Sequence, residues 1–148
     1  VIVADRWRID ALRAALAERN ISADESPADG GVAVRTDFST RLLPIANRWL
    51  RGAVKRPPPG FRLTDNQLRL WTVCAGVADP AGFLLCLSHS DDETWPAIRT
   101  ALAAAGVDAD FVGVRAGGPA YRVSSQRRMR RLRALVGEPP PGAKDWPG

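Results

Sequence analysis

The sequence predicts an α+β domain in which one small unit occurs twice, and three observations carry that prediction. Apolar residues recur at helical spacing in some segments and alternate in others, so both element types are present. "ALRAALAERNISAD" (11–24) overlays "AIRTALAAAGVDAD" (97–110) with seven identities in fourteen positions. Further matches follow in the same order: "AVR" (33–35) with "AYR" (120–122), "STR" (39–41) with "SQR" (125–127), and "PPPG" at 57–60 and 139–142. Alanine richness inflates the helix match but does not produce an ordered series. The pattern reads as an internal duplication, each repeat β-α-β-β-α.

Residues 1–4 are apolar and largely β-branched, which predicts a strand. Arg6–Asn20 carries Ile9, Leu12 and Leu16 on one helical stripe. Ile21–Glu25 reads as a short strand, 27–31 as a turn, and Val32–Phe38 as an alternating strand. Ser39 is placed to cap a helix over Thr40–Leu50, with Pro44 blurring its start. Lys55–Gly60 contains three consecutive prolines and predicts a stiff connector. Thr64–Gln67 looks like a helix start, and Gln67–Ala78 has no charge after Arg69, so it predicts a buried helix. A strand over Phe83–Leu87 follows, then a helix capped by Asp91 or Asp92 and ended by Gly106. Asp110–Arg115 and Ala120–Ser124 predict a hairpin. Ser125 caps Gln126–Val136 and Gly137 stops it. The resulting organisation is a first repeat over 1–54, a Pro-rich linker over 55–66, a second repeat with a preceding helix over 67–137, and a flexible tail over 138–148.

Composition narrows the function. The chain has 148 residues, 45% of them hydrophobic, enough for a real core. Its net charge of +5 points to a polyanionic partner. Cys74 and Cys86 sit in apolar surroundings and read as buried free thiols, which favours the cytoplasm. Two cysteines and His89 do not make an ordinary structural zinc site. No cofactor is expected. The apolar run Leu70–Leu87 is broken by Asp79 and Pro80 and is a poor membrane span. A start at Val1 without Met reads as one domain of a longer chain.

The stretch "CAGVADPAGF" (74–83) ends a helix and leads into an apolar strand. Ala75 and Gly76 are small enough for two helix backbones to approach. Asp79 and Pro80 end the helix, and Gly82 permits a sharp turn. The segment resembles the LAGLIDADG motif of homing endonucleases and related DNA-binding domains. That resemblance implies a pseudo-twofold α+β fold whose motif helices pack side by side and whose sheets lie in the DNA major groove. It also implies a metal-binding carboxylate at the position held here by Ala81, which cannot ligate a metal, so no cleavage is expected. Asp79 is present, but the family places that residue at the helix end. Two departures stand out: one strand instead of a hairpin between the motif helix and the next helix, and no second motif helix.

The basic residues form two groups. "SSQRRMRRLRALVG" (124–137) carries five arginines in seven residues and no acid, around a stripe of Met129, Leu132, Leu135 and Val136. Alternation in the predicted hairpin puts Arg115 and Arg122 on one open sheet face, with Arg35 as the counterpart of Arg122 in the first repeat. Such arginines pair with guanine or clamp phosphate, or protect a sheet edge. Trp7, Trp49, Trp71 and Trp95 suit core packing, and Trp146 suits an exposed contact. His89 reads as structural, and the acids at 91–93 suit a helix N-terminus.

The leading expectation is therefore a non-catalytic module that binds duplex DNA. Arg35, Arg115 and Arg122 contact bases or phosphates, and Arg127, Arg128, Arg130 and Arg131 contact the backbone. A tandem ferredoxin-like regulatory domain binding a small ligand or protein is the alternative from another class. A metal-dependent nuclease using Asp79 with Asp91 or Asp92 is the third.

Overall fold

The computed structural model describes residues Val1–Gly148 and shows a mixed α+β architecture. In the first half, strand β1 (Ile2–Val3) leads to helix α1 (Arg6–Ala17) and a hairpin of β2 (Ala23–Ala28) and β3 (Gly31–Thr36). A 3-10 turn over Thr40–Leu42 then runs into α2 (Leu43–Trp49). A short hairpin, β4 (Leu50–Arg51) and β5 (Val54–Lys55), begins the connection to the second half. The second half runs α3 (Asp65–Ala75), β6 (Gly76–Asp79), β7 (Gly82–Cys86), α4 (Trp95–Ala104), β8 (Asp110–Val112), β9 (Ala120–Val123) and α5 (Gln126–Val136).

The two main sheets share a strand order. The first is β1-β3-β2 and the second is β6-β7-β9-β8, all antiparallel. Removing β6 leaves β7-β9-β8, with α4 between β7 and β8 as α1 lies between β1 and β2. The β-α-β-β-α order thus occurs once in each half, and α3–β6 is additional to the second.

Helix α3 joins two cores. Its Leu68 belongs to a cluster with Phe83, Leu85, Leu102, Tyr121 and Val123. Its Val73 belongs to a second cluster with Val3, Trp7, Ile9, Leu12 and Val34. Burying each such large apolar side chain contributes about 1.5–3 kcal/mol. The start of α3 is fixed by a capping box: the Thr64 hydroxyl accepts from Gln67 N, and the Gln67 side chain accepts from Thr64 N. Ser125 likewise caps α5 by accepting from Arg128 N.

The structure corrects the expected course of "CAGVADPAGF". Helix α3 stops at Ala75, and 76–79 is a strand paired with Gly82–Cys86. A hairpin therefore does separate α3 from α4. Two features end the helix early. Gly76 and the β-branched Val77 are poor helix formers, and β7 offers the strand a full antiparallel partner. A Cβ at Gly76 would fall 2.7 Å from the Phe83 ring, so its small size serves that ring and not a helix–helix crossing. Gly82 has φ +142°, and an added Cβ would overlap the Val123 carbonyl, so the tight turn does require glycine.

The end of α3 is closed by a residue that the sequence does not single out. Arg8 of α1 is 6% exposed and donates to Val73 O at 2.7 Å and Gly76 O at 2.8 Å. It thereby places a cation on the negative end of the helix and satisfies carbonyls that α3 leaves free. Asp5, at 3.1 Å, and Asp145, at 3.3 Å, balance its charge.

The composition of 138–148 predicts a flexible tail with Trp146 exposed. Instead the segment packs back on the molecule. The Trp146 ring meets Trp7 edge-on at 6.4 Å, lies under the Arg69 guanidinium at 5.1 Å, and its Nε1 donates to Gly137 O at 3.0 Å. Asp145 accepts from Ala78 N at 3.2 Å. An indole has too much apolar area to leave in water when two apolar clusters adjoin it.

Candidate nucleic-acid interface

Helix α5 gathers the basic residues. Leu132 and Val136 face the core, and α5 packs against α3. A helix with that buried stripe must present the intervening arginines outward. Their surroundings differ. Arg128 pairs with Asp108 at 3.0 Å. The Arg131 Nε donates to Ala105 O at 3.0 Å and closes the end of α4. Arg127, Arg130 and Arg133 are exposed and have no carboxylate within ion-pair distance. Arg130 and Arg133 line a concavity of about 620 Å³ between α5, the β6–β7 turn and the C-terminal residues.

The strand arginines do not join this group. Arg122 lies on the sheet face opposite Tyr121 and Val123, across from Asp110 and Leu84, and pairs with Asp79 at 3.3 Å. Arg35 is exposed on the other sheet, directly across from Asp24. Each is thus opposed by an aspartate on the neighbouring strand. Arg115 does not share the face of Arg122. Strand β8 ends at Val112, and Arg115 sits in a 3-10 turn over Val114–Ala116. The alternation that predicts its position ends before reaching it. The register puts Phe111 directly across from Tyr121 and Val112 across from Ala120.

Asp79, Asp91 and Glu93 are committed to structural pairs. Asp79 is held by Arg122 and accepts from Ala81 N at 2.9 Å, which closes the β6–β7 turn. Lys55 donates to Asp91 at 2.9 Å, and this hydrogen bond holds the Asp91 carboxyl below its ordinary range. Arg56 pairs with Glu93 at 2.9 Å. No group of three or more His, Cys, Asp and Glu side chains converges where it could hold a metal ion. His89 is exposed in the loop before α4. Cys74 and Cys86 are unpaired, and burial pushes both thiols up.

A cavity of about 330 Å³ lies elsewhere, between α3, the end of β7 and the segment connecting the two halves. Trp49, Phe61, Trp71 and Ile98 line it, with Lys55 and Asp91 among its polar groups. Trp49 and Phe61 meet edge to face at 4.9 Å. No helix of the chain is long and apolar enough to cross a membrane.

Sequence reasoning finds the α5 group because five arginines without an intervening acid are visible in one helical segment. It leaves Arg133 out of the backbone-binding group, although the same segment contains it. It misses Arg8 as well, whose one signal is its place four residues before Leu12 on the inward stripe. Comparison with family models, curated proteins and solved structures finds no match to this chain.

Proposed function

We propose that this chain is a duplex-DNA-binding module that grips the phosphate backbone through α5. The observation that carries the reading is the unpaired state of Arg127, Arg130 and Arg133 on a helix with no acid of its own. Like charges at this density repel one another, and a facing polyanion relieves the repulsion. Arg128 and Arg131 are partly spent on Asp108 and Ala105, so they orient the helix more than they attract a ligand. Arg35, Arg115 and Arg122 take a minor part.

The fold reading that goes with it is a duplicated domain resembling a degenerate LAGLIDADG homing endonuclease. Three features support it. The hairpin after α3 removes one departure from the family's pattern. The sheet orders β1-β3-β2 and β7-β9-β8 agree. Asp24 faces Arg35 in the first sheet as Asp110 faces Arg122 in the second, and these four residues are matched in the sequence overlay. Cleavage is not part of the reading, because Ala81 stands where the resemblance puts the metal ligand and Asp79 and Asp91 are held by cations. A cytoplasmic setting is supported by the two free thiols.

Fluorescence anisotropy with a labelled mixed-sequence duplex tests the binding. The intact chain should raise the anisotropy at micromolar protein in low salt. Absence of any change up to 100-fold higher protein contradicts the proposal. The second reading, a small-ligand domain, is favoured by the aromatic cavity beside Trp49 and Trp71. Under that reading tryptophan fluorescence responds to small aromatic compounds while DNA has no effect.

A further inference from the structure

The charges of the chain are sorted along it. Between Asp37 and Asp65 lie six basic residues, Arg41, Arg48, Arg51, Lys55, Arg56 and Arg62, and no acid. Between Asp110 and Glu138 lie seven, five of them on α5, and again no acid. All sixteen acids fall outside these two segments, where only eight bases accompany them. The net charge of +5 thus comes from two cationic stretches set in a chain that is otherwise acidic. The second stretch carries the α5 surface, and the first is a separate one.

As on α5, some bases of this first stretch are tied down and others are left facing water. Lys55 pairs with Asp91 and Arg56 with Glu93, each at 2.9 Å, which pins the segment to the loop before α4. Arg51 donates to Asn47 O at 3.3 Å and to Leu50 O at 3.0 Å and closes the end of α2. Arg41, Arg48 and Arg62 are exposed and have no carboxylate within ion-pair distance. The Trp49 and Phe61 rings meet at 4.9 Å, and Arg56 N donates to Trp49 O at 2.6 Å. These contacts draw the segment into a closed loop. Arg48 and Arg62, next in the chain to those two rings, therefore belong to one region of surface.

We infer that Arg41, Arg48 and Arg62 form a second phosphate-binding surface for duplex DNA, held in place by the Lys55 and Arg56 ion pairs. The inference rests on the DNA-binding reading but names a site separate from α5. Charge complementarity, and not any uncovered apolar face, selects the occupant. Exposed like charges with no acid among them repel, and a row of phosphates relieves the repulsion. Five of the six bases are arginine, whose planar fork meets phosphate oxygens two at a time. An anionic lipid surface offers phosphate as well, but a helix lying flat on one needs a long apolar face. Helix α2 has seven residues and runs straight into a hairpin.

The test is an anisotropy titration of a labelled mixed-sequence duplex over a range of salt. It compares the intact chain with Arg41→Ala/Arg48→Ala/Arg62→Ala and with the charge-keeping Arg41→Lys/Arg48→Lys/Arg62→Lys. At low salt the alanine variant should bind about fivefold more weakly or worse, and its slope of log K against log salt should flatten by about 2–3, at about 0.9 for each phosphate released. The lysine variant should keep the slope. An unchanged affinity and slope in the alanine variant, while Arg127→Ala/Arg130→Ala/Arg133→Ala still flattens the slope, overturns the inference and leaves the DNA-binding reading standing. If neither triple alanine variant changes binding, both fall. An equal flattening in the lysine variant also overturns the inference, because the effect is then not one of charge. Vesicles of phosphatidylserine and phosphatidylcholine supply the other arm. Vesicle binding that the alanine variant abolishes while duplex affinity holds assigns the surface to lipid and overturns the inference.

Discussion

Arg122 and Asp79 form a half-buried ion pair at 3.3 Å on the face of the four-stranded sheet opposite Tyr121 and Val123. With Asp110 directly across from Arg122 on β8, that face carries two acids around one base. A sheet surface so neutralised does not attract phosphate. Arg122→Ala should therefore change duplex affinity by less than about twofold, since one weakly engaged phosphate partner carries little of a salt-dependent total. Anisotropy titration of the variant checks this. A tenfold loss would return the sheet to the interface.

Arg8 holds the end of α3 from α1. Replacing it leaves the carbonyls of Val73 and Gly76 unpaired and the two halves less firmly joined. Arg8→Met should destabilise the protein by about 2–4 kcal/mol, the range for breaking a buried hydrogen-bonded charge network. Urea denaturation measures the change. A loss under about 0.5 kcal/mol, ordinary for surface positions, would show that the carbonyls find other partners.

Gly82 turns β6 into β7 with φ +142°, and its missing Cβ leaves room for the Val123 carbonyl. Gly82→Ala should cost at least about 1–3 kcal/mol from backbone strain alone. Gly117, with φ +88° and open space around it, should lose less on the same substitution. Thermal melts of the two variants compare them directly.

The carboxyl of Glu25 is held below its ordinary range, chiefly by the hydrogen bond from Arg13 and further by Arg6. Its contribution to stability is present above the unfolded-state value of about 4.3 and is lost as pH falls through the folded value. Arg13→Ala should move the Glu25 midpoint up toward the ordinary value. Carboxyl NMR titration reads the shift, and an unmoved midpoint would contradict the assigned cause.

Much of the architecture is legible in the sequence because it is written in local chemistry. Ser125 and Gly137 bound α5 as the capping rules require, and residues 33–35 and 120–122 each lie on a strand as their alternation predicts. What escapes depends on distant partners. Whether 76–79 is helix or strand is decided by β7, and the short run "GVAD" does not announce it. The hairpin at 50–55 is two pairs long and has no alternating pattern to read. Arg8 and Trp146 are amphipathic residues whose decisive partners, Gly76 O for Arg8 and Trp7 for Trp146, lie more than sixty positions away. The run of arginines on α5 is readable, though which of them are paired is not, and the aspartates opposing Arg35 and Arg122 become visible only with strand register.

The salt dependence of duplex binding tests the central claim most directly. The unsubstituted chain should lose affinity linearly in log K against log salt. Replacing Arg127, Arg130 and Arg133 together with alanine should weaken binding at low salt and flatten the slope by about 2–3, at about 0.9 for each phosphate no longer neutralised. An unchanged affinity and slope in that triple variant would remove α5 from the interface and with it the proposed function.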